Sequence, residues 1–221
     1  MKREIISTKD GSKTIHLPEI NESYHSVHGA LQEAKHVFIQ WGWETLQTHH
    51  YKILEIGFGS GLNTILSLIE SEKNNVKVDY TGLEAFPISD EEILALDYKS
   101  IAEIKPYSNL FDAIHEAKWN EPVKITPNFS LTKIHQSIAD YTPEKLQFNL
   151  IYFDAFGPRV QPEMWTFEVF QKMYNALASN GILVTYCAKG EVRRNLLKLG
   201  FEVKKVAGPP GKREMIWAKK T

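Results

Sequence analysis

The chain has a single cysteine, Cys187, among 221 residues, so no disulfide can form within it. That excludes a disulfide-stapled secreted scaffold and fits a reducing compartment, the cytoplasm. Cys187 follows an apolar run, Gly181-Ile182-Leu183-Val184-Thr185-Tyr186, and reads as a small buried side chain. No run of about 18 apolar residues is available to span a membrane, and no signal-peptide core opens the sequence. Repeats and low-complexity tracts are absent. Eight histidines are present, but none lies in an HExxH or Cys/His spacing, and His49 and His50 are adjacent rather than four apart. No metal site is expected. A serine-hydrolase elbow is nearly mimicked at Gly57-Phe58-Gly59-Ser60-Gly61, but Gly59 abuts the serine, which the elbow does not allow. The G-x-G-x-x-G spacing of a dinucleotide fold is missing too. A net charge of −1 excludes a polycation.

The sequence is 43% hydrophobic and 24% charged, ordinary for a globular protein of one domain with an extra lobe. Residues 5–17 predict a hairpin turning at Asp10-Gly11, and residues 24–46 predict a helix with Ser26 as N-cap. Residues 1–50 form this extension, and 51–221 the main domain. In the latter, apolar runs alternate with amphipathic ones. Strands are expected at 51–54, 76–84, 149–154 and 182–187, with a strand pair in 123–134. Helices are expected at 62–69, 87–98, 109–119, 163–178 (closed by Asn180-Gly181) and 191–199. A final antiparallel pair is expected at 201–206 and 215–218. The alternation predicts an α/β fold with a mostly parallel, doubly wound sheet.

Chemistry concentrates at three strand ends. The first reads Glu55-Ile56-Gly57-Phe58-Gly59-Ser60-Gly61-Leu62-Asn63. Glycines at alternate positions permit a tight turn and a close backbone approach to a ligand. This spacing behind an acid resembles the S-adenosylmethionine loop of class I, Rossmann-like methyltransferases. That cofactor has no pyrophosphate, so a nearby carboxylate is tolerable. Glu84 ends the second strand, where a carboxylate can accept both ribose hydroxyls; a solvated turn residue is the alternative. Asp154 ends the third, before Ala155-Phe156-Gly157-Pro158. It can orient an amine's N–H groups and take up proton charge, or merely cap the loop. Phe156 and Pro158 can wall the transferred methyl group; Phe156 and Trp165 can equally be core aromatics. Residues 186–221 hold ten Lys/Arg against three acids, a net +7. An anionic partner or a merely solvated face both fit that asymmetry.

Together these segments resemble the methyltransferase domain of the MnmC family, which modifies the wobble uridine of tRNA. The resemblance rests on Tyr24-His25-Ser26 with Gly29-Ala30 and Glu33, Val37-Phe38-Ile39, the Glu55–Asn63 loop, Asp154-x-Phe-x-Pro158 with Pro162-x-Met-Trp165, Val192-Arg193-Arg194 before Gly200-Phe201, and Gly211-Lys212-Arg213-Glu214-Met215. It implies methylation of the aminomethyl group of 5-aminomethyl-(2-thio)uridine in the tRNA anticodon, with S-adenosyl-L-methionine as donor. By position it implies that Glu55, Gly57, Phe58, Gly59, Gly61, Asn63, Glu84 and Asp154 bind the cofactor. Asp154 and Phe156 would be the catalytic, amine-proximal residues, and Arg193, Arg194, Lys212 and Arg213 the RNA contacts. The family's bifunctional members carry an FAD-dependent oxidase domain for which 221 residues leave no room, so the aminomethyl substrate is expected from a separate enzyme. Where many S-adenosylmethionine-dependent enzymes have an acid after the adenine-side strand, this chain has His135-Gln136-Ser137-Ile138. A methyltransferase of a small amine or a protein, or a silent RNA-binding module, are the competing readings.

Overall fold

The computed structural model describes residues 2–221. Its centre is an eight-stranded sheet in the order β10-β11-β9-β8-β4-β5-β7-β6. The strands are β4 (His50–Ile56), β5 (Lys77–Glu84), β6 (Pro122–Lys124), β7 (Phe129–His135), β8 (Phe148–Phe153), β9 (Leu177–Thr185), β10 (Phe201–Ala207) and β11 (Glu214–Lys220). Neighbours from β7 to β9 run parallel; β6, β11 and β10 pair antiparallel at the edges. The expected doubly wound sheet with a closing antiparallel pair is therefore what forms.

Alternation of side chains explains the two apolar layers. Tyr51 and Ile53 of β4 and Leu150 and Tyr152 of β8 face one layer, with α2 (Leu62–Asn74) and α4 (Ser108–Glu116). Leu54, Ile56, Ile151 and Phe153 face the other, under α5 (Phe167–Ala176) and α6 (Gly190–Lys198). Both faces of these central strands are covered, which is why their sequence is a continuous apolar run rather than an alternating one. The helix α3 (Asp90–Leu96) follows β5 and is capped by Ser89 and Glu92 in a reciprocal box. The chain leaves β4 toward β5 on one side while β8 lies on the other, so a crevice opens beyond the ends of β4 and β8.

The N-terminal segment builds a second, three-stranded sheet: β1 (Glu4–Ser7), β2 (Lys13–Leu17) and the unexpected β3 (Glu22–Ser23). The hairpin turns at Asp10-Gly11 as expected, with Gly11 at φ +85°.

Two sequence expectations are corrected. The helix expected over 24–46 is confined to α1 (Ala30–Ala34) and a π-helical continuation, Lys35–Gln40, with a 3-10 turn at Trp43–Thr45. Ser26 is not its N-cap. The first amides are instead satisfied by the β1–β2 turn: Ser12 Oγ accepts from Ala30 and Leu31, and Asp10 Oδ2 accepts from Gln32 at 3.0 Å. Nor does Asn180-Gly181 close α5, which ends at Ala176 and passes straight into β9. Lys220 Nζ donates to the carbonyls of Tyr174 and Leu177, at 2.7 and 2.8 Å, so this helix end needs no glycine. No helix among the described residues is long and apolar enough to cross a membrane.

Candidate active site

The glycine loop connects β4 to α2. Gly57, Gly59 and Gly61 take φ of +88°, +50° and +71°. A Cβ on Gly57 would stand 2.6 Å from the carbonyl oxygen of Asp154, so only glycine lets the two strand ends converge. The amides of Gly57 and Phe58 both donate to Leu83 O at 3.0 Å. Gly59 N donates to Glu84 Oε2 at 2.9 Å, and Phe86 N donates to Glu84 Oε1 at 2.8 Å. Glu84 thus ties the loop to the end of β5. Phe58 packs into the apolar core. Its ring is buried against Gly82, where a Cβ would lie 2.5 Å away, and meets His115 and Trp119 edge-on. Phe86, two residues beyond Glu84, is 67% exposed beside the loop, a position the sequence reading did not single out.

Beneath the loop, one amide joins two carboxylates. Asn63 Nδ2 donates to Glu55 Oε1 at 2.8 Å and to Asp154 Oδ2 at 2.9 Å. Two acceptors on one nitrogen use both its protons and fix the amide's orientation. Glu55 is fully buried and also accepts from Tyr80 Oη at 2.8 Å and Thr64 Oγ1 at 3.1 Å. Burial pushes its carboxyl up to about 8, with the Asp154 charge adding to the rise and the bonds from Asn63, Tyr80 and Thr64 opposing it. Asp154 is half-buried, and desolvation pushes it up to about 7; Glu33 raises it further, while the Asn63 bond and Lys212 pull it down. Glu55 therefore reaches the crevice only through Asn63. The carbonyl of that same side chain, Oδ1, is buried with no hydrogen-bond partner among the described residues.

Aromatic side chains wall the site. Tyr24 meets Phe156 edge-on at 5.1 Å and passes over Gly59. Trp165 Nε1 donates to Phe156 O at 2.7 Å, and Tyr186 Oη donates to Ala155 O at 2.8 Å. His25 Nε2 lies 3.1 Å from Ser60 Oγ at the loop tip; burial drives that imidazole down to about 4, so it is neutral. Behind Tyr186, Lys212 Nζ pairs with the buried Glu33 and lies 3.8 Å from the Tyr186 ring centroid. Tyr186 and the Glu33–Lys212 pair were not assigned to the site from sequence. A signal for Glu33 existed: it is one acid among Ala30, Ala34, Val37 and Phe38, all buried.

The four expected RNA contacts do not form one group. Arg193 and Arg194 of α6 line a shallow surface groove with Gly190, Val203 and Lys205. Arg213 is exposed on the β10–β11 loop. Lys212, its neighbour, turns inward to Glu33 because that buried carboxylate would otherwise be unpaired. Elsewhere in the basic tail, Lys204 and Lys205 pair with Glu202 and Glu214.

Residues 105–221 match the family of S-adenosyl-L-methionine-dependent methyltransferases. Among curated proteins, the tRNA 5-methylaminomethyl-2-thiouridine biosynthesis bifunctional protein MnmC of Hydrogenovibrio crunogenus is 31% identical over 212 residues, covering 90% of this chain and 31% of that protein. The protein of the same name from Idiomarina loihiensis is 28% identical, covering 89% and 35%. The chain thus spans about a third of the length of these relatives. Among solved structures, MnmC2 from Aquifex aeolicus superimposes with a TM-score of 0.80 at 24% identity, over 100% of this chain and 70% of the other. Spermidine synthase from Thermotoga maritima does so at 0.62 and 18%, over 99% and 69%. These two share the fold.

Proposed function

Since the chain belongs to the family of S-adenosyl-L-methionine-dependent methyltransferases, we propose that its methyl acceptor is the aminomethyl nitrogen of 5-aminomethyl-(2-thio)uridine at the wobble position of tRNA. The observation that carries this reading is the half-buried carboxylate of Asp154, held by Asn63 where β4 and β8 end, beside the glycine loop and two residues before Phe156, whose ring meets Tyr24. Relatives named for 5-methylaminomethyl-2-thiouridine biosynthesis supply the nucleoside.

The residues fit the donor. Asn63 Oδ1, buried without a partner, suits an ammonium group such as that of the methionine moiety. The Glu84 carboxylate accepts one amide on each oxygen and keeps lone pairs for two ribose hydroxyls. Gly57, Gly59 and Gly61 allow close approach of the backbone. Glu55, one side chain deeper, holds Asn63 rather than the ligand itself. S-adenosyl-L-methionine supplies an activated methyl group on a sulfonium.

The protein's part is then to present an uncharged amine. Asp154 accepts an N–H of the amine, aims its lone pair and takes up proton charge; a carboxyl near 7 is suited to that exchange. Phe156 and Tyr24 keep water from the transfer path. Arg193, Arg194 and Arg213 meet tRNA phosphates, and a different active site furnishes the aminomethyl group.

The test is transfer of labelled methyl from S-adenosyl-L-methionine to tRNA from cells lacking this gene, followed by nucleoside mass analysis. One methyl gained on aminomethyluridine is the expected result. Intact donor binding with no transfer to that tRNA would sink the tRNA reading and favour a small-amine or protein acceptor.

A further inference from the structure

Lys212 lies in the loop between β10 and β11 and reaches back across 179 positions to Glu33. The end of β10 and this loop are seated on the N-terminal segment at three points. His36 Nε2 meets Ala207 O at 2.7 Å, the His28 ring fills the space beside Gly211, and Lys212 pairs with Glu33. Glu33 in turn accepts from Ser26 N at 2.7 Å. The ammonium of Lys212 stands over the ring of Tyr186, whose hydroxyl holds the carbonyl of Ala155, the residue after Asp154.

Resting on the reading of Asp154 as the amine-facing group, the geometry points to Glu33 and Lys212 as positioning residues that fix the Asp154 wall and set its protonation with opposed charges. Lys212 is thereby removed from the tRNA surface. The groups facing Asp154 are few: Asn63 from α2, Glu55 behind it from β4, Glu33 from α1, Tyr186 after β9, and Lys212. Of these, Lys212 alone carries positive charge. Its cation favours the ionised form of Asp154, which accepts an amine proton. The Glu33 carboxylate opposes it and holds the ammonium off the substrate's own nitrogen. The pair therefore sets the charge of the neighbouring site without entering it, and the Tyr186 ring transmits its position.

The experiment is a carbon-13 NMR titration of the Asp154 carboxyl in the ligand-free protein, assigned with Asp154→Asn. Lys212→Met, which removes the charge but keeps an unbranched side chain, should raise the midpoint by about one pH unit, and Glu33→Gln should lower it by a similar amount. Lys212→Arg should restore the wild-type midpoint. Midpoints that stay fixed, or move in the same direction in both variants, would overturn the assignment. If Lys212→Met does not fold, the substitution is made in the Glu33→Gln background, where it must raise the midpoint above that of Glu33→Gln alone. The acid limb of the pH profile of kcat/KM for methyl transfer should move with each midpoint. Because the titration needs neither donor nor acceptor, a failure of wild-type protein to methylate tRNA would refute the proposed substrate and leave this result standing.

Discussion

At the residue scale, the two raised carboxyls make stability depend on pH in a direction that can be worked out. Glu55 rises from an ordinary 4.5 to about 8 on folding, and Asp154 from 3.8 to about 7. The folded state binds their protons more tightly, so this stabilisation is complete below the unfolded values and is lost as pH rises through the folded ones. His25 and His115 run the opposite way. Burial lowers both from 6.5 to about 4, so their contribution is present above 6.5 and lost as pH falls through 4. Burial also lowers Lys133 from 10.5 to about 8, a contribution that grows as pH rises past 8, so the carboxyls dominate between pH 6.5 and 8, and the melting temperature should fall across that window. Glu55→Gln, which keeps shape and hydrogen-bonding capacity but cannot ionise, should fall less steeply. Parallel melting curves for the two proteins would remove Glu55 as the source.

At the scale of elements, α6 carries the surface charge assigned to tRNA. Arg193→Ala and Arg194→Ala should each flatten the plot of log K for tRNA against log salt by about 0.7–0.9, while Lys212→Met should leave the slope alone. A slope unchanged in both arginine variants would mean that tRNA binds elsewhere. The same scale shows what could be read in advance. The elements of the main sheet were legible because each carries its own period: runs such as Ile151-Tyr152-Phe153 for a strand covered on both faces, and Leu196 and Val192 on one face of α6. The ends of α1 and α5 were not legible. Their caps come from Asp10, Ser12 and Lys220, and no local rule brings a hairpin turn or a last strand to a helix end. The glycines and carboxylates of the site were visible as a motif at strand ends. The inward turn of Lys212 was not, since sequence gives a lysine beside Arg213 no hint of a buried acid 179 positions away.

At the scale of the molecule, the three-stranded sheet lies over the glycine loop and the β5–α3 connection. Arg3 donates to the carbonyl of Phe86 and pairs with Glu92 at 3.0 Å, Tyr98 Oη donates to Lys13 O at 3.0 Å, and His25 holds Ser60. If that sheet shapes the donor site, His25→Leu should weaken S-adenosyl-L-methionine binding by roughly tenfold, the loss of one buried hydrogen bond that leaves Ser60 unpaired. Calorimetry reads this directly, and an unchanged affinity would reduce the sheet to scaffold. Finally, the pairing of Glu33 with Lys212 has a consequence for synthesis on the ribosome. At 5–20 residues per second, Lys212 is added roughly 10–35 s after Glu33. Throughout that interval the nascent chain holds the glycine loop and Asp154 in turn, yet lacks the cation that neutralises Glu33. The candidate site is therefore completed only after β10 and β11 have been made, and the growing polypeptide carries an unfinished pocket until that hairpin has emerged.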